Sequence, residues 1–187
     1  GWPVLLSHHP SPKRRLAYTW ELVHNGVCWI GINTGLPNRV VAEAVRANRI
    51  PSLAGADELR PEVKYGINSR IDLLARFGEG LCYIEVKNVT LVEADGYYRF
   101  PDARTERGEK HLRELTAQVQ AGHRAVMCFL VQRSDGTRFA PAGHIDPQYA
   151  TTLRAAHAAG VEVMAWGTSI SPQGITLTTP IPLALDA

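Results

Sequence analysis

The stretch Leu81-Cys82-Tyr83-Ile84-Glu85-Val86-Lys87-Asn88-Val89 decides how this chain is read. Its apolar content marks a strand, and successive side chains of a strand point to opposite faces. Ile84 and Val86 therefore share one face, and Glu85 and Lys87 the other. An acid and a base thus stand together where a buried strand should carry apolar groups. Upstream, Ile71-Asp72-Leu73-Leu74 holds a second misplaced acid, since aspartate is poor in strands and is rarely buried without a partner. If the two runs pair, Asp72 reaches the face of Glu85 and Lys87. Two carboxylates then offer oxygen ligands to a hard cation, Mg2+ or Mn2+, and the ammonium can steady a phosphate or a water. A second reading is a solvated cross-strand ion pair, because strands with one wet face often alternate in this way. Glu62 adds a further acidic metal position, with pairing to Lys64 or capping of the sheet edge as equal alternatives.

Around this stretch the pattern predicts a three-strand meander. Its strands run through Glu62–Tyr65, Arg70–Phe77 and Leu81–Val89, with breaks at Asn68-Ser69 and Phe77-Gly78-Glu79-Gly80. Short connections make consecutive strands neighbours. Before it, Asn38 is placed to cap a helix reaching Asn48, with Val41, Ala44 and Val45 as its apolar stripe. After it come an aromatic and polar loop at Gly96–Asp102 and a helix over about Thr105–Ala121, capped by Thr105. Arg124–Val131 is a continuous apolar strand, read as central. A helix begins at Asp146-Pro147 and stops at Gly160, and Val161–Trp166 is another buried strand. The tail from Ser171 reads as peripheral. At the other end, residues 2–6 and a hairpin about Asn25-Gly26 supply three short strands. The organisation is α/β (α+β): a small β segment over 1–33, then a mixed sheet flanked by helices over 34–187.

The chain has 187 residues, 45% hydrophobic and 20% charged, with a net charge of +2. That composition suits a globular fold with a real core and excludes a disordered chain. The charge permits contact with nucleic acid without arguing for it, so a phosphate-binding surface needs local clustering. Such clusters exist. Arg107, Lys110 and His111 fall on one face of the second helix, with Arg104 just before it, and Lys13-Arg14-Arg15 forms a basic turn. An ordinary charged outer face is the alternative for the helix, and a solvated turn for the triplet. Pro101-Asp102 resembles half of a nuclease signature but follows Glu85, the wrong order for that role. His144 and Asp146 are too sparse a pattern to name a metal. Trp2, Trp20 and Trp29 read as core, with base stacking as the lesser option. The three cysteines have neither zinc nor redox spacing, so a reducing cytoplasm is expected. No run is long enough to span a membrane. The chain opens with Gly1, which reads as a fragment or a processed start.

Several runs together resemble the sugar fermentation stimulation protein family. They are Glu62–Gly66, Asn68–Leu74, Tyr83–Leu91, Phe100–Gly108, Lys110–Leu115, Gly122–Val126 and His144–Pro147. The resemblance covers nearly the whole chain. It implies an N-terminal OB-like β domain, here partial, and a C-terminal PD-(D/E)XK nuclease-like domain in a cytoplasmic, DNA-binding protein linked to regulation of sugar (maltose) metabolism. The nuclease-like pattern maps onto Asp72, Glu85 and Lys87 as catalytic positions, with Glu62 as an extra acid. Two functions follow: a Mg2+- or Mn2+-dependent nuclease acting on DNA, or a non-catalytic DNA-binding regulator on a nuclease-like scaffold.

Overall fold

Three sheets carry the chain. The computed structural model describes residues 1–13, 15–66 and 68–187, so Arg14 of the basic triplet lies outside the described residues. The first sheet joins β1 (Val4–His8), β2 (Tyr18–His24) and β3 (Trp29–Gly31) in that order. The β2–β3 turn is the one expected. Asn25 Oδ1 accepts the Val27 and Cys28 amides, and Gly26 takes a φ of 95°, which a residue without Cβ adopts freely.

The main sheet has six strands. In chain order they are β4 (Glu58–Tyr65), β5 (Ser69–Phe77), β6 (Gly80–Val89), β9 (Arg124–Val131), β11 (Glu162–Ser171) and β12 (Gly174–Pro180). Their spatial order is β12-β11-β9-β6-β5-β4. The meander β4-β5-β6 is antiparallel, and β9 then pairs parallel with both β6 and β11. Flanked on both edges and covered on both faces, Ala125 to Val131 are all buried, which is why that strand reads as one apolar run. α1 (Pro37–Arg46) covers one face, packing Val40, Val41 and Val45 over Leu73, Ile84 and Val86. α2 (Glu106–Gln120) and α3 (Pro147–Ala158) cover the other, bringing Leu112, Leu115 and Leu153 onto Val89, Met127 and Phe129. Thr105 and Asp146 cap these two helices, accepting the Gly108 and Tyr149 amides.

Several expectations need correction. Asn38 does not cap α1: the helix starts one residue earlier, at Pro37, its N-cap is Leu36 with no side-chain cap bond, and it ends at Arg46. Proline at the first position sets the helical φ without a capping side chain. The aromatic loop contains a strand, β8 (Tyr97–Phe100), pairing antiparallel with β7 (Leu91–Val92) and parallel with β10 (Arg138–Pro141). The β10 partner lies far along the chain, so local pattern could not reveal it. The tail is not merely peripheral, because β12 closes an edge of the main sheet and buries Leu177. Trp2 and Trp20 are exposed, 64% and 52%, on the outer face of the first sheet with Val4, Leu6 and Tyr18. That sheet joins the rest through its inner side: Gly31 N–H donates to the Gln132 carbonyl, and Asn25 Nδ2 to Asp135.

Candidate functional site

Glu85 and Lys87 project together from β6 toward α2, as two residues apart on one strand must. Glu85 is 2% exposed, and Lys87 Nζ lies 2.7 Å from its Oε1. The solvated-pair reading therefore fails for this strand. His111 of α2 is buried and donates from Nδ1 to the same Oε1. Arg107 Nε stands 3.4 Å from His111 Nε2. A carboxylate only accepts and a guanidinium only donates, so these partners assign Nδ1 as the donor and Nε2 as the acceptor. Lys87 Nζ also lies 3.4 Å from His111 Nδ1, the two nitrogens meeting over the shared oxygen. Burial would raise the Glu85 carboxyl, but the His111 hydrogen bond and the Lys87 charge outweigh it and hold it below the ordinary carboxylate range.

Asp72 sits at a break in both of its ladders. The β4–β5 register passes from Pro61↔Leu73 to Val63↔Ile71 without pairing Glu62 to Asp72, and Glu62 takes a φ of 54°. The β5–β6 register stops at Leu73↔Ile84. Across the break the strand changes face. Ile71 packs on the α2–α3 side, whereas Leu73, two residues on, packs under α1. The Asp72 carboxylate fills the gap, where Oδ2 accepts the Val86 amide at 2.8 Å and Oδ1 accepts Asn38 Nδ2 at 2.8 Å. Burial and the neighbouring Glu85 charge raise its pKa, against these two hydrogen bonds and Lys87. Asp72 and Glu85 thus feel each other across the opening.

Around this pair lie two phenols, Tyr149 buried and Tyr65 half-buried. Tyr65 and Tyr149 both have pKa values raised by burial and then by Glu85. The Tyr149 hydroxyl and Glu85 Oε2 are buried with no hydrogen-bond partner among the described residues. Glu85 Oε2 is thus an acceptor that the protein leaves open beside a second carboxylate. Among the described residues no group of three or more His, Cys, Asp or Glu is arranged to hold a metal. Two carboxylates suffice for a cation that keeps several of its waters, as Mg2+ does, so the donor set fits a hard divalent ion. Glu62 is exposed on β4 at the break facing Asp72, and among the described residues no hydrogen bond or ion pair joins its side chain to Asp72 or Glu85.

The basic residues divide. His111 belongs to the buried centre, not to an outer face. Its spacing carried the signal, because Gly108, His111, Leu112 and Leu115 form the i, i+3, i+4, i+7 stripe that α2 buries. Arg107 and Lys110 are exposed on α2, and Lys110 lies 3.8 Å from Glu114. Arg104 and Arg107 line an open groove of about 780 Å3 between the N-termini of α2 and α3, and Arg107 joins it to His111. Lys13 and Arg15 are exposed in the β1–β2 connection, and among the described residues no hydrogen bond or ion pair joins them to this centre. Asn38 is the residue that sequence reasoning missed. Its type suggested a cap, and only the packing of α1 on β5 shows its amide on Asp72.

Comparison with known proteins agrees with this architecture. Residues 1–32 match the profile described as the SfsA N-terminal OB domain, and residues 35–174 that of the sugar fermentation stimulation protein RE domain. A sugar fermentation stimulation protein homolog of Geotalea uraniireducens is 56% identical over 95% of this chain and 77% of its own length. One from Geobacter sulfurreducens is 54% identical over 98% of this chain and 78% of its own. Among solved structures, Pyrococcus furiosus SfsA in complex with Ca2+ superposes with a TM-score of 0.87 at 25% identity, covering 97% of this chain and 77% of that one. The mixed sheet with helices on both faces, preceded by a small β domain, is therefore the fold expected from the sequence. With a profile matched across most of its length and relatives more than half identical to it, this chain belongs to the sugar fermentation stimulation protein family.

Proposed function

We propose that the Asp72–Glu85–Lys87 centre hydrolyses phosphodiester bonds in DNA with the help of Mg2+ or Mn2+. The observation that carries this reading is Glu85. An almost fully buried carboxylate keeps one oxygen open beside a second carboxylate, with an ammonium 2.7 Å from its other oxygen. A purely structural ion pair has no need of that open oxygen. Asp72 and Glu85 would hold the cation, which, when bound, supplies charge stabilisation at the phosphoryl group and activates water for attack. The description of the P. furiosus protein with Ca2+ supports a divalent ion in this family's fold.

The chain's own residues do the rest. Lys87, 15% exposed, holds positive charge at Glu85 Oε1, next to the open oxygen, where it would meet a phosphate oxygen or attacking water. His111 fixes Glu85 Oε1 through its Nδ1–H, and Arg107 fixes the imidazole from the other side. Arg104, Arg107 and Lys110 would track the DNA backbone along the α2 N-terminus and its groove, with positive charge supplying sequence-independent affinity. The three cysteines are unpaired, which goes with a cytoplasmic setting. Residues 1–33 and 34–187 are taken as the two functional units.

A second reading, a DNA-binding regulator without turnover, is favoured by a different observation. Lys87 already offsets the Glu85 charge, His111 is hydrogen-bonded to the same oxygen, and no larger donor cluster is present among the described residues. Labelled single- and double-stranded DNA incubated with Mg2+ or Mn2+ separates the two. Cleavage that disappears in Lys87→Ala supports the nuclease. DNA retention without cleavage, equal in both proteins, supports the regulator.

A further inference from the structure

We infer that Asn38 is a positioning residue for the metal centre, holding the Asp72 carboxylate in the strand gap so that its remaining lone pairs stay available to the cation. This rests on the metal-dependent reading above. Among the described residues no cationic group hydrogen-bonds to Asp72: Lys87 acts on it through space, and Glu85 opposes its charge. Two neutral donors among the described residues orient it. One is the Val86 amide, fixed in β6, on Oδ2, and the other is Asn38 Nδ2 on Oδ1. Asp72 pairs in neither neighbouring ladder, so the backbone around it does less than usual to restrain the side chain. Each donor therefore matters more to the carboxylate's direction than in a regular strand.

The residue choice points the same way. Asparagine is a poor helix former, because its amide competes for backbone groups, and it is best used at an N-cap. Here it occupies the second position of α1, while Leu36 serves as N-cap with no side-chain bond. Its amide is spent across the interface on Asp72, a local cost whose return is tertiary. Of the two ends of the Asn38 amide only the NH2 can donate to a carboxylate, so this contact also fixes the flip of the amide. α1 itself is anchored on the same face by Val40, Val41, Ala44 and Val45, which makes Asn38 a rigidly mounted donor.

The test is a Mn2+ titration of the whole chain followed by electron paramagnetic resonance, which reads free and bound ion directly, on wild type, Asn38→Ala, Asn38→Gln, Asp72→Asn and Asn38→Ala/Asp72→Asn. Asn38→Ala is expected to weaken Mn2+ binding by about tenfold, the scale typical of lost outer contacts to metal ligands. Asn38→Gln, which keeps the donor, should recover part of that loss. The double variant should bind no worse than Asp72→Asn alone, because Asn38 acts only through Asp72. Metal-free thermal unfolding of Asn38→Ala within a few degrees of wild type shows that folding is not the cause. Unchanged affinity in Asn38→Ala beside clear loss in Asp72→Asn overturns this inference alone, as does an additive double variant. Should Asn38→Ala fail to fold, Asn38→Gln decides, and binding as weak as that of Asp72→Asn overturns it. Wild type that binds no Mn2+ overturns the metal-dependent reading, and this inference with it.

Discussion

Replacing Lys87 by methionine should destabilise the metal-free protein far more than a lysine substitution normally does. The side chain is trimmed of its charge while keeping most of its length, so packing is nearly conserved. What remains is a Glu85 carboxylate 2% exposed, with one donor from His111 on Oε1 and none on Oε2. Breaking a buried pair by removing one partner costs about 3–5 kcal/mol. His111 still donates here, so the lower end, ~3 kcal/mol, is expected, which in a chain of this length lowers Tm by ~6–12 °C. The converse change is milder. In Glu85→Gln the Lys87 ammonium, 15% exposed, can turn toward water, so ~1 kcal/mol is expected. The double variant Glu85→Gln/Lys87→Met removes both charges and should cost ~1 kcal/mol too, so the two substitutions are strongly non-additive. Urea unfolding in EDTA, with exposed Lys64→Met as control, measures all four. A Lys87→Met loss within ~0.5 kcal/mol of that control, the ordinary range for surface changes, would refute the reasoning. So would a double variant whose loss equals the sum of the singles.

Two further outcomes test the scaffold. Asp135 accepts from Arg133 at 2.6 and 2.7 Å and from Asn25 at 2.9 Å, linking the first sheet to the rest. The Arg133 bonds hold its pKa below the ordinary 3.8, so its contribution is complete above that value and lost as pH falls beneath it. Tryptophan fluorescence from Trp20 and Trp29 should report loosening of the sheet in that acid range, and an Asp135→Asn profile identical to wild type would contradict it. Gly108→Ala should destabilise despite adding a better helix former. The new Cβ would stand 2.8 Å from Thr105 Cγ2 and 3.0 Å from Tyr149 Cε2. Overpacking costs ~1–3 kcal/mol against a propensity gain of ~1 kcal/mol. A raised Tm would show that the α2–α3 contact yields more easily than its geometry implies.

How far the sequence reaches is clearest at α2. Thr105, the Leu112–Leu115 stripe and the end near Gln120 all follow from local signals, because capping and helical periodicity are properties of neighbouring residues. The same stripe contains His111, yet its basic neighbours drew it into a surface cluster. β8 shows the opposite limit, since its strand depends on β10, some forty residues on, and a loop-like composition hides it. Trp2 and Trp20 show a third. An aromatic residue reads as core wherever it lies, and only the assembled first sheet reveals which of its faces is covered.

The meander, the central β9 strand, and the pairing of Glu85 with Lys87 on one face were determined by sequence alone. Period-two alternation and short connections leave the chain little choice about them. What only the tertiary structure decided is how the acids are used. The ladder breaks on both sides of Asp72, its carboxylate takes the Val86 amide in place of a carbonyl, and α1 delivers Asn38 to its other oxygen. His111 likewise closes on Glu85 only when α2 packs across β6. These contacts join residues 14 to 34 positions apart on separate elements. No local periodicity encodes such distances, because they are set by how helices seat on a twisted sheet.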